Sequence, residues 1–273
     1  MPFCFEVRFR TSRPIDADRL DEQITPATFK RPLRFWRPYG TAKDQNWLAI
    51  ESRGYATSQE AENSGERVKD ALLMSAAKRK LGIEFTGRGA VSGLSVFAGG
   101  QFDVVDPGAP LPVPLKRSEL IDIVTALESN VVLTPNQRVA AELLNDSFFE
   151  MSPEARFLLR VSAVEALCPQ ADQTEAVRDQ VVRVLRSIPP DASSQIKEAL
   201  ERIAKRQSVR SAYMSKIKQL LGNDEAKRFD TLYGRRSEFL HDGAGRGTLG
   251  EAANAALEIC WKLLLADIGG AQI

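Results

Sequence analysis

The first part of the chain alternates between apolar and polar positions, whereas the second part repeats its apolar residues at helical spacing. Residues 3–9 place phenylalanine or valine at every second position, with a cysteine or a charged residue between them. This period of two is typical of a half-buried β-strand. Segments 29–38 and 47–52 are predicted to be further strands, and 83–85 and 91–97 short ones.

One helix is predicted inside this strand-rich part. Thr57 and Glu60 have the spacing of a capping box, in which the hydroxyl accepts a backbone N–H and the carboxylate reaches back. Apolar residues at helical spacing continue to Leu81, and Gly82 is predicted to stop the helix. Three strands, a helix and further short strands indicate a small α+β domain over residues 1–105.

A proline-rich segment divides the chain. Residues 106–114 contain four prolines, which fit neither a helix nor a central strand. We therefore predict an extended, semi-rigid linker over residues 106–115. The fold class expected for the whole chain is α+β, with the small first domain followed by an all-α helical bundle over residues 116–273.

The second domain carries helix start and stop signals. Ser152 followed by Pro153 is typical of a helix start, since serine caps the free N–H groups and proline suits the first turn. Gly243 directly follows Asp242 and is predicted to end a helix, because glycine adopts the left-handed conformation at little cost. The predicted helices span 116–129, 135–149, 153–167, 174–187, 193–221, 224–241 and 247–267.

Composition narrows the possible functions. The formal net charge is +1, so no global field attracts nucleic acid or membranes. The three cysteines are far apart and the chain has a single histidine, which argues against a zinc site and predicts three buried, reduced thiols. No apolar run approaches the roughly 20 residues of a membrane span. No secretory signal pattern opens the chain, so we expect a cytoplasmic protein.

The candidate chemistry is centred on His241, the only histidine, and the adjacent Arg235 and Arg236. Histidine exchanges protons near neutral pH, and the planar fork of arginine suits phosphate. Phosphodiester cleavage needs both kinds of group. On a helix, Arg236 and His241 lie roughly 140° apart around the axis. They can converge only if the helix ends near His241, or if a second helix or a second copy completes the pocket.

These residues resemble a known family. The run from Arg236 to His241 matches the Arg-x4-6-His signature of HEPN domains, and the wider run from Leu232 to Gly243 resembles the Apea-like branch of that superfamily. Segments 156–167, with its Ser-Ala-Val-Glu-Ala-Leu run, and 208–217 are similar to other helices of that branch. The resemblance covers about residues 116–273.

The resemblance implies a ribonuclease that needs no metal or cofactor. His241 would assist attack by the ribose 2′-hydroxyl or protonate the leaving oxygen, and the arginine would stabilise the charged transition state. The products would carry a 2′,3′-cyclic phosphate and a 5′-hydroxyl. HEPN domains commonly dimerise so that two motifs face one cleft, which implies a homodimer formed through the helical domain.

Several roles stay open. Arg235 also satisfies the motif spacing, so either arginine can be the catalytic one. Ser237 is polar where the family often carries a polar residue, and Tyr233 either orients a phosphate or only packs. Glu165 either pairs with a motif arginine or points to solvent. The simpler alternative for Arg236 and His241 is a purely structural role at a helix end.

A second set of basic residues is predicted on one long helix, where they either track a phosphate backbone or form a solvated face. The set is Arg202, Arg206 and Arg210. Two functions follow from the sequence. The first is a metal-independent RNA endonuclease, such as a toxin or a phage-defence effector. The alternative is a non-catalytic HEPN module that binds RNA, a nucleotide or a protein partner.

Overall fold

A computed structural model describes residues 2–12, 22–26, 28–36, 47–85, 93–98, 131–187, 194–243 and 249–269. The described strands are β1 (Phe3–Thr11), β2 (Glu22–Ile24), β3 (Leu33–Trp36), β4 (Trp47–Tyr55), β5 (Ile83–Phe85) and β6 (Leu94–Ala98). The described helices are α1 (Ser58–Arg79), α2 (Pro135–Asp146), α3 (Pro153–Leu167), α4 (Glu175–Ser187), α5 (Ser194–Lys205), α6 (Val209–Leu221), α7 (Asn223–Asp242) and α8 (Leu249–Asp267). The predicted linker and the predicted helix 116–129 lie outside the described residues.

The six strands form one antiparallel sheet with β1 in its interior. The strand order is β2-β3-β4-β1-β5. The edge of β1 opposite β4 is shared by two strands, because β5 pairs with residues 9–11 of β1 and β6 pairs with residues 3–7. On the polar side of β1, Arg8 is partly exposed and Arg10 is exposed, so the predicted alternation of buried and exposed residues holds only towards the end of the strand. Cys4 and Glu6, on the polar side, are as buried as Phe5. Glu6 is accommodated there by an ion pair with Arg8.

Helix α1 covers the sheet and begins at the predicted cap. Thr57 Oγ1 accepts the backbone N–H of Glu60 at 3.1 Å, and the Glu60 carboxylate reaches one residue farther back than expected, to the N–H of Ala56 at 3.0 Å. The helix ends earlier than predicted, because Lys80 takes the left-handed conformation with φ 52°. Gly82 serves packing instead, since a Cβ there would lie 2.5 Å from the Phe149 ring.

Helix α1 belongs to both apolar cores of the molecule. Leu72 and Ala76 pack in the cluster formed with the sheet, whereas Leu73, Met74 and Ala77 pack in the cluster formed with the helices. The fold is therefore α+β, with an N-terminal antiparallel sheet followed by a helical region, and α1 contacts both parts.

A buried carboxylate ties α1 to the start of the helical region. Asp70 is 1% exposed and accepts hydrogen bonds from the backbone N–H of Leu133 at 3.1 Å and from Arg138 Nη2 at 3.0 Å. Burial raises the pKa of Asp70 to about 6. The hydrogen bonds from the Leu133 N–H and the Arg138 guanidinium offset the energetic cost of burying the Asp70 carboxylate at this junction.

The helical core is built around α3 and α8, which pack side by side through apolar faces. Ser152 caps α3 and Pro153 occupies its first turn, as the sequence predicts. The cysteines Cys4, Cys168 and Cys260 are buried and unpaired, as predicted. No helix among the described residues is long and apolar enough to cross a membrane.

The predicted helix over 193–221 is wrong in one respect, because the chain forms two helices, α5 and α6, in its place. Ser208 Oγ accepts the N–H of Ser211 at 3.1 Å and so caps a new helix. The N–H of Gln207 donates to the carbonyl of Ala171 at 3.0 Å, which ties the break to the α3–α4 connection. The other predicted helices within the described residues are present to within three residues at each end.

Candidate active site

Helix α7 carries the predicted motif and ends where the sequence predicts. Gly243 takes the left-handed conformation with φ 63°, and its N–H donates to the carbonyl of Phe239 at 3.1 Å. His241 is therefore in the last turn, and its side chain is exposed. The motif histidine lies at a helix end that is open to solvent.

Arg236 reaches from α7 to α3. Its Nη2 lies 3.5 Å from Glu165 Oε2, so the ion pair that the sequence left open is present, and Arg236 rather than Arg235 forms it. The guanidinium carbon lies 5.5 Å from the centroid of the Tyr233 ring, within cation–π range. The Arg236 side chain is 26% exposed. Its buried Nε has no acceptor in the part of the chain that the structure describes.

Tyr233 is part of an aromatic group between α6 and α7. Its ring centroid is 4.9 Å from that of Tyr213 and 6.4 Å from that of Phe229. Burial and the neighbouring Glu165 carboxylate raise the pKa of Tyr233, so its phenol stays neutral and can donate a hydrogen bond. The structure thus places Tyr233 in packing contacts and beside Arg236; it leaves a role in phosphate binding as a prediction.

The remaining motif residues face outward. Arg235, Ser237 and His241 are all exposed. Ser237 and His241 are one helical turn apart and about 40° apart around the axis, so they lie on the same side of α7. Arg236 and His241 are roughly 140° apart on the same continuous helix, so one copy of α7 does not bring them onto one face.

The basic stripe predicted on one helix is not formed in that way. Arg210 lies on α6, whereas Arg206 lies in the connection that separates α5 from α6 and is exposed. The backbone of Arg202 lies on α5, and its side chain is not among the described ones. The helix break at 206–208 removes the regular spacing on which the stripe depended.

Arg210 is held by a carboxylate that the sequence analysis missed. Arg210 Nε and Nη2 donate to the two oxygens of Asp230 at 2.8 Å and 2.6 Å, and the Tyr213 hydroxyl donates to the same carboxylate at 2.6 Å. The hydrogen bonds from Arg210, and then that from Tyr213, lower the pKa of Asp230. An aspartate inside a helix, next to the apolar Phe229, was the available signal for such a pairing.

Comparisons with protein-family models, with curated proteins and with solved structures find no match for this chain. No group of three or more potential metal ligands is formed among the residues whose placement is described. At α7 the structure presents the exposed imidazole of His241, the exposed hydroxyl of Ser237 and the half-buried guanidinium of Arg236.

Proposed function

We propose that the protein is a metal-independent RNA endonuclease of the HEPN type that uses Arg236 and His241. The observation that carries this proposal is the state of Arg236, which Glu165 and Tyr233 hold in position while its side chain stays 26% exposed. His241 accepts the proton of the attacking 2′-hydroxyl or donates a proton to the leaving 5′-oxygen, and Arg236 stabilises the negative charge on the phosphoryl oxygens. The resemblance of the helical region to Apea-like HEPN domains supports the same assignment.

The active unit in this proposal is a homodimer. Since Arg236 and His241 point in different directions around α7, a single copy does not present both to one phosphate. A twofold axis beside α7 repeats each residue across the interface and lets Arg236 of one copy work with His241 of the other. The exposed apolar side chain of Leu240, one turn beyond Arg236, supplies apolar surface for such a contact.

The test is RNA cleavage in the presence of EDTA, comparing the parent with His241→Ala, Arg236→Ala and Arg235→Ala. We expect cleavage by the parent, with 2′,3′-cyclic phosphate ends, and its loss in the first two variants. Arg235→Ala removes the same charge from the exposed side of the helix and is expected to keep activity. Equal cleavage by all four proteins would show that the activity comes from elsewhere.

The divergence of Arg236 and His241 favours a second candidate if the protein is a monomer. In that case the helical region is a non-catalytic module that binds RNA, a nucleotide or a protein partner. A well-folded protein would then cleave no RNA, and loss of Arg206 or Arg202 would weaken RNA binding more than loss of His241. Gel-shift titrations beside size measurements in solution separate the two functions.

A further inference from the structure

Arg160 is a buried arginine whose side-chain partners among the described residues are all uncharged. It lies on α3 with 4% of its surface exposed. Its Nε donates to Ser147 Oγ at 3.0 Å, its Nη1 donates to Asn254 Oδ1 on α8 at 3.4 Å, and its guanidinium carbon lies 5.6 Å from the Phe148 ring centroid. These contacts orient the guanidinium without neutralising it.

No described carboxylate forms an ion pair with Arg160, which distinguishes it from Arg138, Arg210 and Arg236. The Cys260 thiol nearby does not supply a negative charge, since burial raises its pKa to about 12. Burial, followed by the neighbouring Arg156 charge, lowers the pKa of Arg160 to about 10, so it remains protonated at neutral pH. A desolvated charge of this kind is costly unless an opposite charge joins it.

Arg156 places a second guanidinium beside the first. It lies one turn earlier on the same face of α3. Its Nε is buried and has no acceptor among the described residues, and its Nη2 makes only a long contact of 3.5 Å with the carbonyl of Met151. Arg156 is half-buried and Asn254 is exposed, so both side chains reach solvent, and Asn254 contacts Arg160 directly.

The orientation of the Asn254 amide adds a donor. Its Oδ1 accepts from Arg160, so its NH2 group points away from that guanidinium. Arg156, Arg160 and Asn254 therefore combine two positive charges with N–H donors and present no acid. Two arginine forks and an amide suit the charge and the tetrahedral oxygens of a phosphate group.

We infer that Arg156, Arg160 and Asn254 form a binding site for a phosphate group, either inorganic phosphate or the phosphate of a small ligand such as a nucleotide. The site is separate from the one proposed on α7. Glu165, the partner of Arg236, lies five residues beyond Arg160, about 7.5 Å along the axis of α3. Occupancy neutralises the buried charge and binds α3 to α8.

The test is the thermal midpoint of the full protein with inorganic phosphate or with AMP, against sodium chloride at matched ionic strength. At about ten times the dissociation constant we expect a rise of roughly 3–6 °C. A response to both compounds shows that the phosphate group alone is recognised, and a response to AMP alone shows that a nucleotide is needed. A midpoint that moves no more than in chloride overturns the proposal.

Two variants locate the site. Arg156→Gln is expected to weaken phosphate binding at least tenfold in calorimetric titration. Asn254→Asp puts a permanent carboxylate beside Arg160, so we expect a higher midpoint without phosphate and no further rise with it. Arg186→Gln, which removes an exposed charge from α4, is the matched control and should keep the full response. An unchanged phosphate response in both site variants would refute the assignment.

Discussion

The two halves of α7 differ in how deeply their side chains are buried and in how many hydrogen bonds they make. In the first half, Phe229 is fully buried and Asp230 receives two hydrogen bonds from Arg210 and one from Tyr213. In the second half, Arg236 has one ion-pair contact of 3.5 Å, and the side chains beyond it are partly or fully exposed. One half is built as core, and the other is left open.

This contrast between the two halves shows whether Arg210 or Arg236 has N–H donors that are not already bound to a carboxylate. Arg210 faces both oxygens of a carboxylate, so its strongest donor edge is occupied. Arg236 has a single long contact and a buried Nε without an acceptor among the described residues. A phosphate would meet the exposed part of the Arg236 guanidinium without displacing a bidentate partner, whereas at Arg210 it would have to displace Asp230.

The largest effect is expected when each of these two arginines is replaced by lysine. Arg236→Lys keeps the charge but removes the planar fork, and we expect RNA cleavage to slow by about 100-fold or more. Arg210→Lys is the matched change at the α6 arginine that binds Asp230 in the first half of α7, and it should leave the cleavage rate within about threefold. Single-turnover rates measure both. Equal losses in the two variants would remove the distinction between the halves.

The second prediction concerns stability. Phe229→Ala removes a fully buried ring that packs edge-on against Tyr213 with centroids 5.0 Å apart. We expect the free energy of unfolding to fall by about 3–5 kcal/mol. Leu240→Ala changes a large apolar side chain that is 51% exposed in the second half, and its effect should stay within about 0.5 kcal/mol. Urea unfolding of both variants tests the contrast.

The third prediction compares two tyrosines. Tyr213→Phe removes the hydroxyl bond to Asp230, and we expect a loss of about 1–2 kcal/mol in unfolding free energy with unchanged cleavage. Tyr233→Phe removes the hydroxyl beside Arg236, and we expect the reverse, with slower cleavage and a smaller loss of stability. The comparison fails if Tyr213→Phe slows cleavage as much as Tyr233→Phe does.

Local signals in the sequence predict much of the fold. Ser152-Pro153 and Gly243 mark helix ends through cap chemistry that depends on a few neighbouring residues, and the structure agrees with both. The break at Ser208 combines a local serine cap, which accepts the N–H of Ser211, with a bond to a distant backbone, from Gln207 to Ala171. A single serine within a run of good helix formers is a weak signal, and the tertiary contact that helps to stabilise the break leaves no local pattern.

The candidate site was predictable only in part for the same reason. The spacing of Arg236 and His241 is visible in the sequence, and it also gives their separation around the helix. Glu165 was visible as a possible partner of a motif arginine, but the sequence did not show whether it pairs or with which arginine, and Asp230 was not foreseen as the partner of Arg210, because these pairs form only after α3, α6 and α7 have packed. Short strand β2 was also missed, since its three residues carry too little alternation to be distinguished.

The smallest expected effect is the acid sensitivity of the first half. Because bonds from Arg210 and Tyr213 lower the pKa of Asp230, its stabilising contribution is full above the unfolded value near 4 and is lost as the pH falls through the lower folded value. The Arg210 side chain is largely exposed, so solvent screens the pair and the contribution of Asp230 should be small. In urea unfolding between pH 7 and pH 2.5, the difference in unfolding free energy between the parent and Asp230→Asn should shrink as the pH falls.

A difference in unfolding free energy that stays constant down to pH 2.5 would mean that Asp230 contributes packing and not charge. The two halves of α7 would then differ only in burial.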